Sequence, residues 1–168
     1  MSLEQYILSI LVDNTAGVLS RVAGLFSRRA YNIDSLTVGV TADPRYSRMT
    51  VAANGDDLVL EQIKNQLAKL EDVRDIKILK PNESVNRELM LVKVRADMEA
   101  RQNIIAVANI FRGNIIDVGA SSLIVEVTGT QSKLNAFLDL LSGFEILELA
   151  RTGLTGLTRG MDNITYLD

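Results

Sequence analysis

The chain has 168 residues, 47% hydrophobic and 23% charged, with a net charge of −3. That length allows one ordinary domain or two small ones, and the acidic balance gives no general attraction to nucleic acid. Histidine and cysteine are both absent, which excludes disulfides, thiolate nucleophiles and sulfur-ligated metals and removes the commonest general base and metal ligand. The N-terminal run Met1-Ser2-Leu3-Glu4-Gln5 has no basic segment leading into a signal-like apolar core, and no apolar stretch approaches the ~20 residues that span a bilayer. A cytoplasmic, soluble chain with no membrane partner is expected.

In chain order, Tyr6–Val12 predicts a first strand. Val18, Val22, Leu25, Phe26 and Arg29 recur mostly at helical spacing and predict a helix over Gly17–Arg29. Asn32–Thr41, rich in Ile, Leu and Val, predicts a strand, and Asp43-Pro44-Arg45 a turn, because proline cannot continue a strand ladder. Ser47–Ala53 alternates as a strand. After the break at Asn54-Gly55-Asp56, Val59, Ile63, Leu67 and Leu70 mark a second helix, and Val73–Leu79 a fourth strand. The order is β-α-β-β-α-β, a ferredoxin-like arrangement.

Lys80-Pro81-Asn82-Glu83-Ser84 reads as a linker, after which the pattern begins again. Strands are expected at Leu89–Val94, Asn114–Val118, Leu123–Val127 and Glu145–Ala150. Helices are marked by Ile104, Val107, Ala108 and Phe111, and by Leu134, Phe137, Leu138 and Leu141. Leu25-Phe26 followed by Asn32-Ile33 is echoed by Ile110-Phe111 followed by Asn114-Ile115, so the chain is an internal repeat. The fold class is therefore α+β, with two tandem ferredoxin-like β-α-β-β-α-β units, one over residues 1–80 and one over 84–159. Residues 160–168 form a tail, and Arg151–Asp168 as a whole, with three glycines and few apolar residues, is expected to pack loosely. A unit of this kind puts both helices on one sheet face. The other face needs a cover, and self-association is the economical answer.

The turn Asp13-Asn14-Thr15-Ala16-Gly17 carries the chemistry. A helix start offers unsatisfied N–H groups and partial positive charge. A glycine there lets a carboxylate approach the backbone, and Asn14 supplies both a donor and an acceptor beside it. That suits the ends of a free amino acid. The plainer reading is that Asn14 turns the chain or caps the helix and Gly17 serves the turn alone. The second copy has Ala96-Asp97-Met98-Glu99-Ala100-Arg101 at this point, with no glycine and two carboxylates where an anion would sit. One site per chain, in the first copy, is expected, leaving the second copy to contact something else.

The stretches Asn14-Thr15-Ala16-Gly17-Val18-Leu19 and Leu25-Phe26-Ser27-Arg28-Arg29-Ala30-Tyr31-Asn32-Ile33-Asp34-Ser35-Leu36-Thr37-Val38 resemble the ligand-binding half of an ACT domain. More narrowly, they resemble the small regulatory subunits of acetolactate synthase. The likeness continues through Ser47-Arg48-Met49-Thr50, Arg87–Val94, Ile110–Val118 and Gly156–Gly160, which covers nearly the whole chain. This resemblance implies a non-catalytic regulatory subunit that activates a catalytic subunit and confers feedback inhibition by valine in branched-chain amino-acid synthesis. Thiamine diphosphate, Mg²⁺ and FAD would belong to that catalytic subunit, and no cofactor to this chain. It further implies a homodimer, with ACT domains paired side by side and the ligand in the seam. Asn14, Gly17, Val18 and Leu19 would hold the amino acid's polar end, and Asn32 and Ile33 of the neighbouring chain would close the seam. Valine at position 18, where the family also uses alanine, would narrow the pocket. The unit over 84–159 would contact the catalytic subunit.

Competing classes are a stand-alone amino-acid-binding module or transcriptional co-regulator, and an independent enzyme. The co-regulator lacks a helix-turn-helix or basic arm, and the enzyme lacks histidine and cysteine. Asp56-Asp57 and Glu71-Asp72 flank a helix, where acids are ordinary. Arg28-Arg29 suits either a phosphate or a helix C-terminus. Arg45, Arg48, Arg87, Lys93 and Arg95 offer a basic surface, but the strands lack the aromatic residues that stack RNA bases. No Walker loop or G-x-G-x-x-G turn is present.

Overall fold

The structure is a computed structural model that describes residues 4–29 and 31–161. The first half forms β1 (Glu4–Asp13), α1 (Val18–Arg28), β2 (Ile33–Val40), β3 (Tyr46–Gly55), α2 (Asp57–Ala68) and β4 (Val73–Ile78). The second forms β5 (Ser84–Arg95), α3 (Met98–Ile110), β6 (Asn114–Val118), β7 (Ser122–Gly129), α4 (Gln131–Leu140) and β8 (Ile146–Arg151), and a ninth strand, β9 (Thr155–Thr158), follows. The sheets have the orders β2-β3-β1-β4 and β6-β7-β5-β8, with β9 pairing β5. The ladders along these two orders are antiparallel. The fold is the expected tandem of two ferredoxin-like units.

Strand alternation explains the first core. Leu8, Ile10 and Val12 of β1 point to one face with Met49, Val51 and Ala53 of β3, and Val22 and Phe26 of α1 and Ile63 and Leu67 of α2 close over them. In the second unit Met90, Val92 and Val94 of β5 play the part of the β1 residues, beneath Ile104, Leu134 and Phe137. Phe111 meets Phe137 edge to face, with ring centroids 5.5 Å apart.

The repeat extends to irregularities. In the first unit the ladders slip at Asp34, between Ile33 and Ser35, and at Arg74, opposite Leu11 and Val12. The second slips at the matching places, Ile116 and Leu147. The geometry is shared but the residues are not. Asp34 accepts from Gln5, Asn32 and Asn54, and Arg74 pairs with Asp13. Ile116 and Leu147 instead stand 49% and 38% exposed.

Three helices begin on a side-chain cap. Asp56 accepts from the Val59 N–H at 2.8 Å, Asp97 from Ala100 at 2.7 Å and Thr130 from Lys133 at 3.3 Å. Each such cap contributes about 1 kcal/mol. Asp56 is thus a cap. Its neighbour Asp57 accepts from the Tyr6 hydroxyl at 2.6 Å, and that bond pushes the Tyr6 pKa up to about 12.

The chain divides differently from the expectation of 1–80 and 84–159. One compact unit comprises residues up to Asn86 together with those from Gly153 onward, and the other is Arg87–Thr152. The expected loose segment after Arg151 is in fact structured as far as Thr158. Leu154 is 4% exposed, and its carbonyl accepts from the Thr37 hydroxyl at 3.2 Å. Gly153 lies so close to Ser35 that a Cβ would sit 2.7 Å from it, and a Cβ on Gly156 would meet Leu79 at 2.9 Å. Arg159 N–H donates to the Glu83 carbonyl at 2.8 Å. The glycines that suggested looseness are the condition for close packing. This segment lies on the outer side of the first sheet, the side turned away from its helices. The remainder of the expected tail, 162–168, lies outside the described residues.

Truncating Leu154 to alanine should therefore destabilise the first unit by about 2–5 kcal/mol, the usual cost of emptying a buried leucine site. Urea denaturation followed by circular dichroism checks this. A loosely packed segment would give a change within about 0.5 kcal/mol.

Candidate effector site at the start of α1

The loop from β1 to α1 is pinned from two sides. Asp13 N–H donates to the Asp72 carbonyl at 2.8 Å, and the Asp13 carboxylate takes two bonds from Arg74, at 2.7 and 2.9 Å. The Arg74 guanidinium holds the Asp13 carboxyl below its ordinary range. On the other side Asn14 N–H donates to the Arg45 carbonyl at 2.8 Å, and Asn14 Nδ2 to the Pro44 carbonyl at 3.0 Å. Asn14 thus fastens the loop to the β2–β3 turn.

Gly17 then turns the chain with φ of +87°. A residue with a Cβ pays roughly 1–2 kcal/mol in that region, so the backbone favours glycine here. No side chain caps α1, in contrast to α2, α3 and α4. Its first-turn N–H groups are aimed, with the positive end of the helix, at the space over the turn. A guanidinium reaches the same space: Arg21 Nη1 lies 2.9 Å from where a Gly17 Cβ would be, while Arg21 Nε donates to Asp72 Oδ2 at 2.6 Å. Oriented N–H groups and a held cation make a seat for a small carboxylate. Arg21 was not legible as part of this seat from turn chemistry. Its signal is position, one helical turn after Gly17 and on the same face.

Among the expected site residues, Asn14, Gly17, Val18 and Leu19 gather at this end. Val18 is 4% exposed, its side chain packed in the first core. It offers the site its N–H, and its bulk faces away from any ligand there. Leu19 is 48% exposed. Asn32 and Ile33 lie beyond the far end of α1, and a helix of 11 residues is about 16 Å long. Within one chain the two groups do not meet. Asn32 Nδ2 donates to Asp34 at 3.3 Å, and Ile33 is half-buried against the core.

The equivalent place in the second unit is filled. Asp97 takes the Ala100 N–H with its own carboxylate, and Arg101, which matches Arg21 in position, donates to the carbonyls of Gly119 and Ala120 at 2.7 and 3.1 Å.

Residues 8–75 match the family model of the AHAS small subunit-like ACT domain, and residues 87–160 that of the small subunit of acetolactate synthase. The probable acetolactate synthase small subunit of Methanothermobacter thermautotrophicus is 53% identical over 161 residues, covering 95% of this chain and 96% of that protein. The acetolactate synthase isozyme 3 small subunit of Escherichia coli is 50% identical over 155 residues, covering 92% and 95%. The crystal structure of the acetolactate synthase small subunit from Thermotoga maritima superimposes with a TM-score of 0.88 at 42% identity, covering 94% of this chain and 99% of that one.

The clamp on the loop predicts a pH dependence. The folded-state pKa of Asp13 is lowered, so its stabilising contribution is complete above the unfolded value of about 4 and is lost as pH falls through the lower folded value. Asp13→Asn should accordingly be less stable than wild type at pH 7, and the gap should close progressively below about pH 4. Urea midpoints measured across that range give the result. A gap that persists unchanged in acid would mean the Arg74 pairing is not its source.

Proposed function

The chain belongs to the family of acetolactate synthase small subunits, and from that premise we propose that it is the regulatory subunit of a cytoplasmic acetolactate synthase. It activates the catalytic subunit and confers feedback inhibition by valine or a related branched-chain amino acid. Thiamine diphosphate, Mg²⁺ and FAD reside in that partner, and the chemistry of acetohydroxyacid formation is theirs. This chain reads effector concentration. The observation that carries the reading is the uncapped start of α1 over a glycine at φ +87°, with Arg21 held above it.

A regulatory homodimer supplies what one chain lacks. The strand β2 is an edge of its sheet, with Val38 and Val40 49% and 60% exposed. Register places Val40 opposite Ser47, which pairs with Val12, so this end of β2 is level with the effector turn. Ile33 lies at the opposite end, across from Ala53 and Tyr6. Antiparallel pairing of two β2 edges about a twofold axis would bring Asn32 and Ile33 of one copy toward Asn14–Leu19 of the other. The effector would then bind in the seam, its carboxylate on the α1 start and its side chain near Leu19 and the second copy's Ile33.

Two measurements test this. Sedimentation equilibrium at micromolar concentration should give a dimer, and a strictly monomeric chain with and without valine would end the seam arrangement. Leu19→Glu is the informative variant, because Gly17 substitutions are strained by the backbone itself. Leu19 is exposed, and an acid in the first turn favours the helix, yet its carboxylate competes for the effector's seat. Reconstituted acetolactate formation should still respond to the variant, with the valine concentration for half inhibition raised at least about tenfold, equivalent to about 1.4 kcal/mol. An unchanged valine midpoint in the folded variant overturns the site.

A further inference from the structure

The Arg28-Arg29 pair is not absorbed by the effector turn. It lines an open groove of about 330 Å³ between α1 and the end of α2. Residues 21, 25, 28 and 29 fall on one helix face, at intervals of four, seven and eight. Across the groove stand Gln66, Lys69 and Leu70. Arg21 is neutralised by Asp72. Arg28, Arg29 and Lys69 have no ion-pair partner among the described residues, and no carboxylate lines the groove. Three unpaired cations thus flank half-buried Leu25 and Leu70, in a chain whose net charge is −3.

Charge complementarity fixes the sign of the occupant and the layout fixes its form. A phosphate or other compact anion is held where donors converge, usually at a helix N-terminus. Here Arg28 and Arg29 stand at the C-terminal end of α1, whose partial charge is negative, and Lys69 faces them from the end of α2. The leucine floor favours an apolar side chain set between acids. We propose that the groove docks an acidic, amphipathic polypeptide segment of the catalytic subunit. This rests on the regulatory-subunit reading above, and it places sensing and partner contact on the same helix. The N-terminal turn of α1 holds the effector and its C-terminal half holds the partner, with Arg21 belonging to both.

The test is a titration of the whole small subunit into its catalytic subunit, with association and activation followed at increasing salt. The triple variant Arg28→Glu, Arg29→Glu, Lys69→Glu should weaken association at least about tenfold and flatten its salt dependence. The corresponding glutamine triple should fall between it and wild type. Valine binding to the free small subunit, measured by calorimetry, and the thermal melt should stay at wild-type values in both. Wild-type affinity and salt slope in the glutamate triple overturn the proposal, as does an equal loss in both triples accompanied by a lowered melt. Pyrophosphate binding to wild type that the triple abolishes, with association untouched, also overturns it and assigns the groove to a small polyanion. A wild-type chain that fails to associate with the catalytic subunit at all would instead remove the regulatory-subunit reading.

Discussion

A four-stranded sheet with both helices on one side has a second side that must be kept from water or made tolerant of it. In the first unit the chain resolves this with its own late residues. Leu154 is buried, and Gly153 and Gly156 approach the sheet side and the start of β5 more closely than any side chain would permit. The sheet below carries Ser35, Thr37 and Thr50 beside Leu11 and Ala52, a mixed surface suited to backbone as well as side-chain contact. With that side occupied, exposed valines remain on the edge strand β2, at Val38 and Val40.

The two units carry one backbone plan with two different helix starts. The helix start after the first strand is the same object in both, with an arginine one turn into the helix. In the second unit Asp97 closes the helix end and Arg101 is consumed by loop carbonyls. In the first the cap is withheld, and Arg21 is held in reserve by a carboxylate outside the turn. The difference resides in a few side chains at one loop. The helix start can therefore be capped or left open without disturbing the core residues that define the fold.

Much of this was legible in the sequence because it is periodic. The alternation of Leu8, Ile10 and Val12, the helical spacing of Val18, Val22 and Phe26, and the second appearance of the pattern after Pro81 needed only the two periods of regular structure. The turn at Asn14–Gly17 was legible through its residue types, although Val18 faces the core and lends the site only its backbone. What escaped has no local period. The strand Thr155–Thr158 is four residues long with a glycine in it, and that glycine packs against Leu79 and Asn86, both distant in sequence. Arg21 is an ordinary helix-surface arginine until Asp72 is found beside it. The bulges at Asp34 and Ile116 occupy equivalent places in the two units with opposite chemistry, so no residue type announces them.

The return of residues 153–158 to the first unit has a consequence for how the protein is made. Residues 87–152 form a continuous unit, and every contact that closes it is available once Thr152 has been synthesised. The first unit waits longer. Its strands and helices emerge early, but the segment carrying Leu154 comes after the whole second unit. Domains ordinarily mature from the N-terminus as synthesis proceeds. Here the order is inverted for the final step: the unit begun first is completed last, and the mixed outer side of its sheet stays uncovered while the second unit is being built.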